Sequence, residues 1–253
     1  VTELKEIFRQ AKQSCIVTNA HKIVMGEYPD LTQKRNDFFF FNRKDFNEAA
    51  KLIVDLAKTR LPKAYNYSSF EDIQILTPSR KGSLGVIELN KLLQNEINPP
   101  TAKKAEMKSM LYIFREGDKV MQTKNNYDIV WKRGEDEQGT GIFNGDIGRI
   151  ININKSNMEV VIDFDGRITS YTFELMGQVE LAYAITVHKS QGCDFEAVIM
   201  PILGGFEKLY YRNLLYTAVT RAKKLLILIG TEEKIRSMVD NNRRTRRYTC
   251  LKS

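Results

Sequence analysis

The sequence predicts an α/β protein, a doubly wound parallel sheet interrupted by a small antiparallel β-barrel. Three observations carry that expectation. Short apolar runs toward both ends of the chain place Phe, Ile, Val and Leu on successive residues, as strands buried on both faces do. Segments with helical apolar spacing fall between them, and strand–helix alternation builds doubly wound sheets. Between about Gly117 and Tyr183 the runs become short and alternating, with turn signals at Asn144-Gly145, Lys155-Ser156-Asn157 and Asp165-Gly166.

The elements follow in order. Leu4, Ile7, Phe8 and Ala11 share one face of a short helix that carries Arg9 at its boundary. Phe38 to Phe41 is a brief buried strand, and a helix from about Phe46 to Arg60 is expected to end at Pro62, which has no N–H to continue it. Ile73 to Leu76 is the next strand, leading into Thr77-Pro78-Ser79-Arg80. Val86, Leu89, Leu93 and Ile97 mark a helix that stops before Pro99-Pro100. The interrupting barrel has strands near Asp118–Thr123, Ile147–Ile151, Glu159–Asp163 and Ile168–Thr172, and its most polar stretch, Lys132–Thr140, reads as a mobile loop. The sheet resumes with Ala197–Leu203, a helix from Asn213 to Arg221, and Leu225–Ile229. Thr231 to Val239 closes the pattern as a helix with an imperfect capping box.

Composition narrows the function. Lys and Arg number 39 against 31 Asp and Glu, a formal net charge of +8 over 253 residues, which favours a polyanionic partner without requiring one. Arg243, Arg244, Arg246 and Arg247 form a terminal basic cluster, read either as a solvated tail or as a nucleic-acid contact. No apolar run approaches the ~18–20 residues of a membrane span, so no membrane partner is expected and the chain reads as cytoplasmic. Three cysteines, scattered and without a CxxC pair, and two histidines argue against both a disulfide framework and a zinc site. The chain begins at Val1, and we expect it to be a piece of a longer one.

No G-x-x-x-x-G-K-[ST] loop occurs, so the usual phosphate cradle of a P-loop enzyme is missing. Val160-Val161-Ile162-Asp163 superficially resembles an acidic magnesium strand, but Asp165-Gly166 turns it straight into another alternating run, and a hairpin is the better reading. Its calcium-loop look fails because the Gly is misplaced and helices do not flank it. No metal site is expected.

Chemistry concentrates in two stretches. Ala184-Ile-Thr-Val-His-Lys-Ser-Gln-Gly192 leads into a buried strand, and loops at strand ends are where α/β sheets bind ligands. Thr186, His188, Lys189 and Ser190 can donate to phosphate oxygens, and Gly192 lets backbone approach closely. The second stretch is Asn213-Leu-Leu-Tyr-Thr-Ala-Val-Thr-Arg221. Two readings of Arg221 stand side by side: a favourable charge on the helix dipole, or a cation aimed at a ligand.

In this order the two stretches resemble motifs V and VI of superfamily-one helicases, most closely the RecD-like family, also described as the exodeoxyribonuclease V alpha-subunit type. Leu4–Gln10, Leu76–Arg80 with Gly82 and Leu84–Val86, and Phe143-Asn-Gly-Asp-Ile-Gly148 match the same family. The resemblance runs from Leu4 to Gly230. It implies the second RecA-like domain of the motor with an inserted SH3-like barrel: residues 1–116 and 184–240 for the RecA-like sheet, 117–183 for the barrel, 241–253 for a basic tail.

What the resemblance implies for the site is specific. Arg9 and Arg221 would reach the γ-phosphate across the cleft, where a guanidinium stabilises spreading negative charge without losing its proton. Gln10, Gln191, Gly192 and Asp194 would serve the nucleotide, Asp194 standing where relatives carry Glu toward the ribose. Thr77, Arg80, Thr186, His188, Lys189 and Ser190 would hold strand phosphates. Asn144 and Asp146 are barrel candidates, with an Asn-Gly turn as the equal alternative reading. ATP and Mg2+ would be bound by the full-length parent and neither by this piece alone. The partners implied are single-stranded DNA, the missing N-terminal RecA-like domain, and other subunits of a nuclease complex. The function implied is the C-terminal half of an ATP-dependent helicase moving 5′ to 3′. A single-strand-binding module and a helicase subunit of an exonuclease complex are the competing readings.

Overall fold

The computed structural model describes residues 14–32 and 37–242. The predicted first helix with Arg9 and Gln10, and the arginine cluster at 243–247, lie outside the described residues.

The chain runs through α1 (Cys15–Met25), β1 (Phe38–Asn42), α2 (Phe46–Asp55), α3 (Leu61–Tyr65), β2 (Ile73–Thr77) and α4 (Val86–Ile97). A small hairpin follows, β3 (Glu106–Lys108) and β4 (Ile113–Arg115). Next come β5 (Lys119–Gln122), β6 (Asn126–Arg133), β7 (Glu137–Ile142), β8 (Ile147–Asn154), β9 (Glu159–Phe164), β10 (Arg167–Thr172) and β11 (Val179–Leu181). The chain then returns as β12 (Ala184–Thr186), β13 (Phe195–Ile202), α5 (Arg212–Val219), β14 (Ala222–Gly230) and α6 (Glu232–Asp240).

Five strands form a parallel sheet in the order β1-β14-β13-β2-β12. Successive side chains of a strand point to opposite faces, and both faces here are covered. Leu225, Ile227 and Ile229 of β14 join Ala49, Ile53, Leu89 and Leu93 of α2 and α4 in one core. Leu226 and Leu228 join Ile16, Ile23, Leu214, Leu215 and Ile235 of α1, α5 and α6 in the other. This is the RecA-like doubly wound arrangement expected from the unbroken apolar runs. Among the described residues no helix is long and apolar enough to cross a membrane.

The second sheet has seven antiparallel strands in the order β11-β5-β8-β9-β10-β6-β7. Ile129, Ile142, Ile150, Val160, Ile162 and Tyr171 pack on its inner side. Lys132–Thr140 is not a mobile loop: it forms most of the β6–β7 hairpin, with Val130 opposite Thr140 and Arg133 opposite Glu137. The misreading has a physical cause. Most of the β6 side chains are solvent-facing, so polarity there marks an exposed strand face, and Trp131 lies over Gly139, whose missing Cβ would fall 2.4 Å from the indole.

Two further departures concern helices. Pro62 does not end the second helix. A wide turn at Leu56–Arg60, closed by the Leu61 N–H on the Leu56 carbonyl, lets the chain continue through Pro62 to Tyr65. A residue without an N–H is tolerated where the regular ladder is already interrupted. Helix α1 was not anticipated from the sequence. It starts under an Asp37 carboxylate that accepts from the Cys15 N–H at 2.8 Å, and ends at Gly26 in the left-handed region with φ 87°.

The two sheets are joined through a buried carboxylate. Asp118 accepts from Gln94 of α4, from Asn98 at the helix's C-terminal cap, from the Arg115 N–H, and from the Tyr183 hydroxyl at 2.5, 2.8, 2.7 and 3.0 Å. These partners come from the entry to the antiparallel sheet, its exit, and the helix beneath. Burial raises the Asp118 pKa above the usual carboxylate value, against the pull of its donors.

Candidate nucleotide and nucleic-acid interface

The segment 187–194 spans the sheet from one edge to the other. Thr186 at the end of β12 is level with Thr77, whereas Ala197 near the start of β13 is level with Ile73. Phe195 lies two residues earlier still, so the segment returns about 20 Å at ~3.3 Å per strand residue. Its two ends carry different chemistry.

At the C-terminal edge, Arg80 and Lys189 converge on Glu180 of β11. Arg80 places Nη2 2.7 Å from Oε1 and Nη1 3.2 Å from Oε2, a two-pronged pair, and Lys189 Nζ lies 3.3 Å from Oε2. His188 is exposed, its Nε2 3.0 Å from the Tyr211 hydroxyl at the start of α5. Thr186 is half-buried, and its hydroxyl accepts from the Lys189 N–H at 3.3 Å. Arg80, Thr186, His188 and Lys189 thus line one edge. Thr77 and Ser190 belong to the same region but face inward. The Thr77 hydroxyl donates to the Leu84 carbonyl at 2.7 Å and Ser190 to the Val187 carbonyl at 2.8 Å, both side chains being buried. As placed, each hydroxyl holds a loop, its donor spent on a main-chain carbonyl.

At the N-terminal edge, Arg221 immediately precedes β14 and reaches the start of β13. Its Nη1 donates to the Cys193 carbonyl at 3.0 Å and lies 3.1 Å from Asp194 Oδ1. The side chain therefore does not reach the closing carbonyls of α5, as the dipole reading would have it. Its Nε is buried with no hydrogen-bond partner, a spare donor in a guanidinium that otherwise holds one edge of the loop. Gln191 and Gly192 are exposed between the two ends. Gly192 sits at φ 91° with no atom within 4 Å of where a Cβ would be, so the backbone there is bare toward solvent. These features fit the arginine-bearing side of a nucleotide cleft. Nothing in the segment replaces a phosphate-cradling loop.

The barrel candidates lie elsewhere. Asn144 is exposed, and its N–H is taken by the Asn125 side chain at 2.9 Å. Asp146 accepts from the Phe143 N–H and pairs with Arg167, both at 3.0 Å. Gly145 takes φ 102° between them, so the Asn-Gly pair does serve a tight turn. Sequence reasoning passed over Glu180 and Tyr211. Glu180 had a signal: a lone acid between Val179 and Leu181, both buried, at the foot of the Ala182–Gly192 stretch.

Two family models match the chain: the SH3 domain of ATP-dependent RecD-like DNA helicases over residues 89–164, and the UvrD-like helicase C-terminal domain over 181–229. The ATP-dependent RecD2 DNA helicase of Deinococcus radiodurans is 31% identical over 231 residues, covering 90% of this chain and 28% of that protein. The RecBCD enzyme subunit RecD of Buchnera aphidicola is 30% identical over 200 residues, covering 75% of this chain and 31% of that protein. The chain thus spans less than a third of these relatives. A crystal structure of a Bacteroides Pif1 helicase in complex with ADP-AlF3 and ssDNA shares the fold with TM-score 0.53 and 16% identity, over 94% of this chain and 53% of that one. Fold, loop order and these matches define the class as the second RecA-like half of a superfamily-one helicase. Within that class the chain belongs to the RecD-like family, carrying its SH3 domain and a UvrD-like C-terminal helicase domain.

Proposed function

We propose that this chain is the C-terminal motor half of an ATP-dependent DNA helicase that steps along single-stranded DNA in the 5′-to-3′ direction. The observation that carries the reading is the 187–194 segment, one continuous stretch with Arg80 and Lys189 at one end and Arg221 and Asp194 at the other. A shift at the nucleotide edge is thereby delivered to the strand edge without an intermediary. Arg221 with its spare Nε, together with Arg9, would meet the negative charge of the transferred phosphoryl group. Gln10, Gln191, Gly192 and Asp194 would border the nucleotide. Arg80, Thr186, His188 and Lys189 would hold strand phosphates, with Asn144 at the barrel margin.

The phosphate loop and magnesium carboxylates would come from an N-terminal RecA-like domain, the principal partner. A second class of partner is other subunits of a nuclease complex, by likeness to the relatives named as RecBCD enzyme subunits. The polarity rests on the family likeness alone. The deciding experiment measures ATP hydrolysis with and without a single-stranded oligonucleotide, for this chain and for the protein containing both halves. Strand-stimulated turnover by the two-half protein and none by this chain supports the proposal. Strand binding with no turnover in either would favour a binding module, and robust turnover by this chain alone would refute the division of labour.

A further inference from the structure

We infer that Glu180 is a built-in competitor for the incoming strand, a carboxylate that occupies the phosphate-binding cations until a nucleotide phosphate displaces it. The inference rests on Arg80 and Lys189 being phosphate ligands. Three segments meet here: the loop after β2, about 100 residues away in the chain, the last strand of the antiparallel sheet, and the loop after β12. Both cations are committed to the same carboxylate, Arg80 by two nitrogens on two oxygens and Lys189 by its Nζ.

The geometry is that of a phosphate mimic. A phosphodiester presents two non-bridging oxygens carrying one negative charge, and a guanidinium reads such a pair bidentately as it reads a carboxylate. Glu180 is 19% exposed at its side chain and Arg80 is 43% exposed, so the pair lies at the surface, where exchange for a polymer phosphate is possible. Beside it, the buried Tyr112 hydroxyl lies near Asn90 and feels the charges of both Glu180 and Arg80. The pair also ties β11 to the loop after β2, so displacing Glu180 loosens the antiparallel sheet's grip on the RecA-like sheet at the point where the strand arrives. Each strand-binding event then costs an ion pair, which weakens binding and speeds release, as a stepping motor requires.

The test uses the 253-residue chain and fluorescein-labelled dT15, read by anisotropy. Glu180→Gln keeps the shape and removes the charge, and is expected to tighten binding about fivefold, the worth of a partly exposed ion pair. Arg80→Ala is expected to weaken binding, and adding Glu180→Gln to it is expected to recover only the share that comes through Lys189. Unchanged or weaker binding by Glu180→Gln, with Arg80→Ala still damaging, would overturn the inference and make Glu180 a scaffold for the two cations. Unchanged binding by both Arg80→Ala and Lys189→Ala would instead sink the phosphate-ligand reading beneath it. If the Gln variant fails to fold, the wild-type chain answers directly. The Glu180 carboxyl carbon resonance is expected to shift when dT15 is added, and an unmoved resonance with dT15 bound counts against displacement.

Discussion

Arg221 Nη1 stands 3.1 Å from Asp194 Oδ1 while the same nitrogen donates to the Cys193 carbonyl, so the arginine after α5 is clamped to the segment that leads back to Lys189. The two stretches recognisable in the sequence are thus one mechanical unit. On the proposed reading, an arginine drawn toward a nucleotide would pull against Asp194 and Cys193, and the pull would reach the strand edge through Gln191 and Gly192.

The first prediction concerns that arginine. In the protein containing both halves, Arg221→Ala is expected to lower strand-stimulated ATP hydrolysis by on the order of 10³–10⁵-fold, with oligonucleotide affinity retained. Arg221→Lys is expected to rescue little, because an ammonium cannot hold the Cys193 carbonyl and a phosphoryl oxygen with a planar fork. Steady-state turnover beside anisotropy binding measures both. Unchanged turnover in the Ala variant would reduce Arg221 to a structural clasp.

The second prediction separates charge from scaffold at the opposite edge. For single strands, the slope of log affinity against log salt is about −0.7 per phosphate neutralised. Arg80→Ala with Lys189→Ala is therefore expected to flatten the slope by about 1.4. Thr77→Val, whose hydroxyl serves the Leu84 carbonyl, is expected to leave the slope alone and cost about 1–2 kcal/mol of stability instead. A flattened slope in Thr77→Val would mean that the loop conformation, and not the charge, governs binding.

Much of the parallel sheet was legible because Phe38–Phe41, Ala197–Leu203 and Leu225–Ile229 are apolar on consecutive residues, as strands covered on both faces are, with Ile73–Leu76 broken only by Gln74. Strands with one wet face gave a weaker signal, which is why Lys132–Thr140, where β6 turns into β7, was read as a loop. Local rules failed where tertiary packing outweighed them, as at Pro62. At the candidate site the sequence located the donor-rich segments but could not say which donors were already spent. Thr77 and Ser190 look like Thr186 and His188 in a string of letters, and only the fold shows that their hydroxyls turn inward. Glu180 was passed over for the converse reason: its lone-acid signal is weak, and its importance lies in partners 100 and 9 residues away.

A third prediction addresses why Phe143-Asn-Gly-Asp-Ile-Gly148 carries a second glycine. A Cβ on Gly148 would lie 2.6 Å from the Asp163 carbonyl oxygen and 2.7 Å from the Phe164 ring, on backbone and a buried aromatic that cannot step aside. Gly148→Ala is expected to cost about 1–3 kcal/mol. Gly177, with open space where its Cβ would be and an ordinary φ, is the control, and Ala there is expected to stay within about 0.5 kcal/mol of wild type. Urea unfolding compares them. Equal stability of the two variants would show that the antiparallel sheet absorbs the added methyl group.

The last prediction follows from a lysine in the wall between the sheets. Lys119 of β5 is buried, donates to the Ile73 carbonyl at 3.2 Å, and has its Nζ 5.7 Å from the centre of the Phe70 ring. It lines a cleft of about 420 Å³ together with Arg149, Asp163 and Asp194. Loss of water pushes its pKa down to about 7; Asp72 and Glu71 oppose that shift and Arg149 adds to it. An unfolded lysine titrates near ~10.4, so between these values the unfolded chain holds a proton that the folded chain has released. Stability from this group therefore rises with pH across that window, and the cost of a buried ammonium is fully present below pH 7. The unfolding free energy is expected to increase by about 2 kcal/mol from pH 7 to pH 9 on this account. Lys119→Met, similar in reach and without charge, is expected to be more stable than wild type at pH 7 and to lose that part of the pH dependence. Urea titrations of both proteins at pH 7, 8 and 9 decide it. Parallel pH profiles would mean that Lys119 keeps its proton in the folded state, held by Asp72 and Glu71 across the junction.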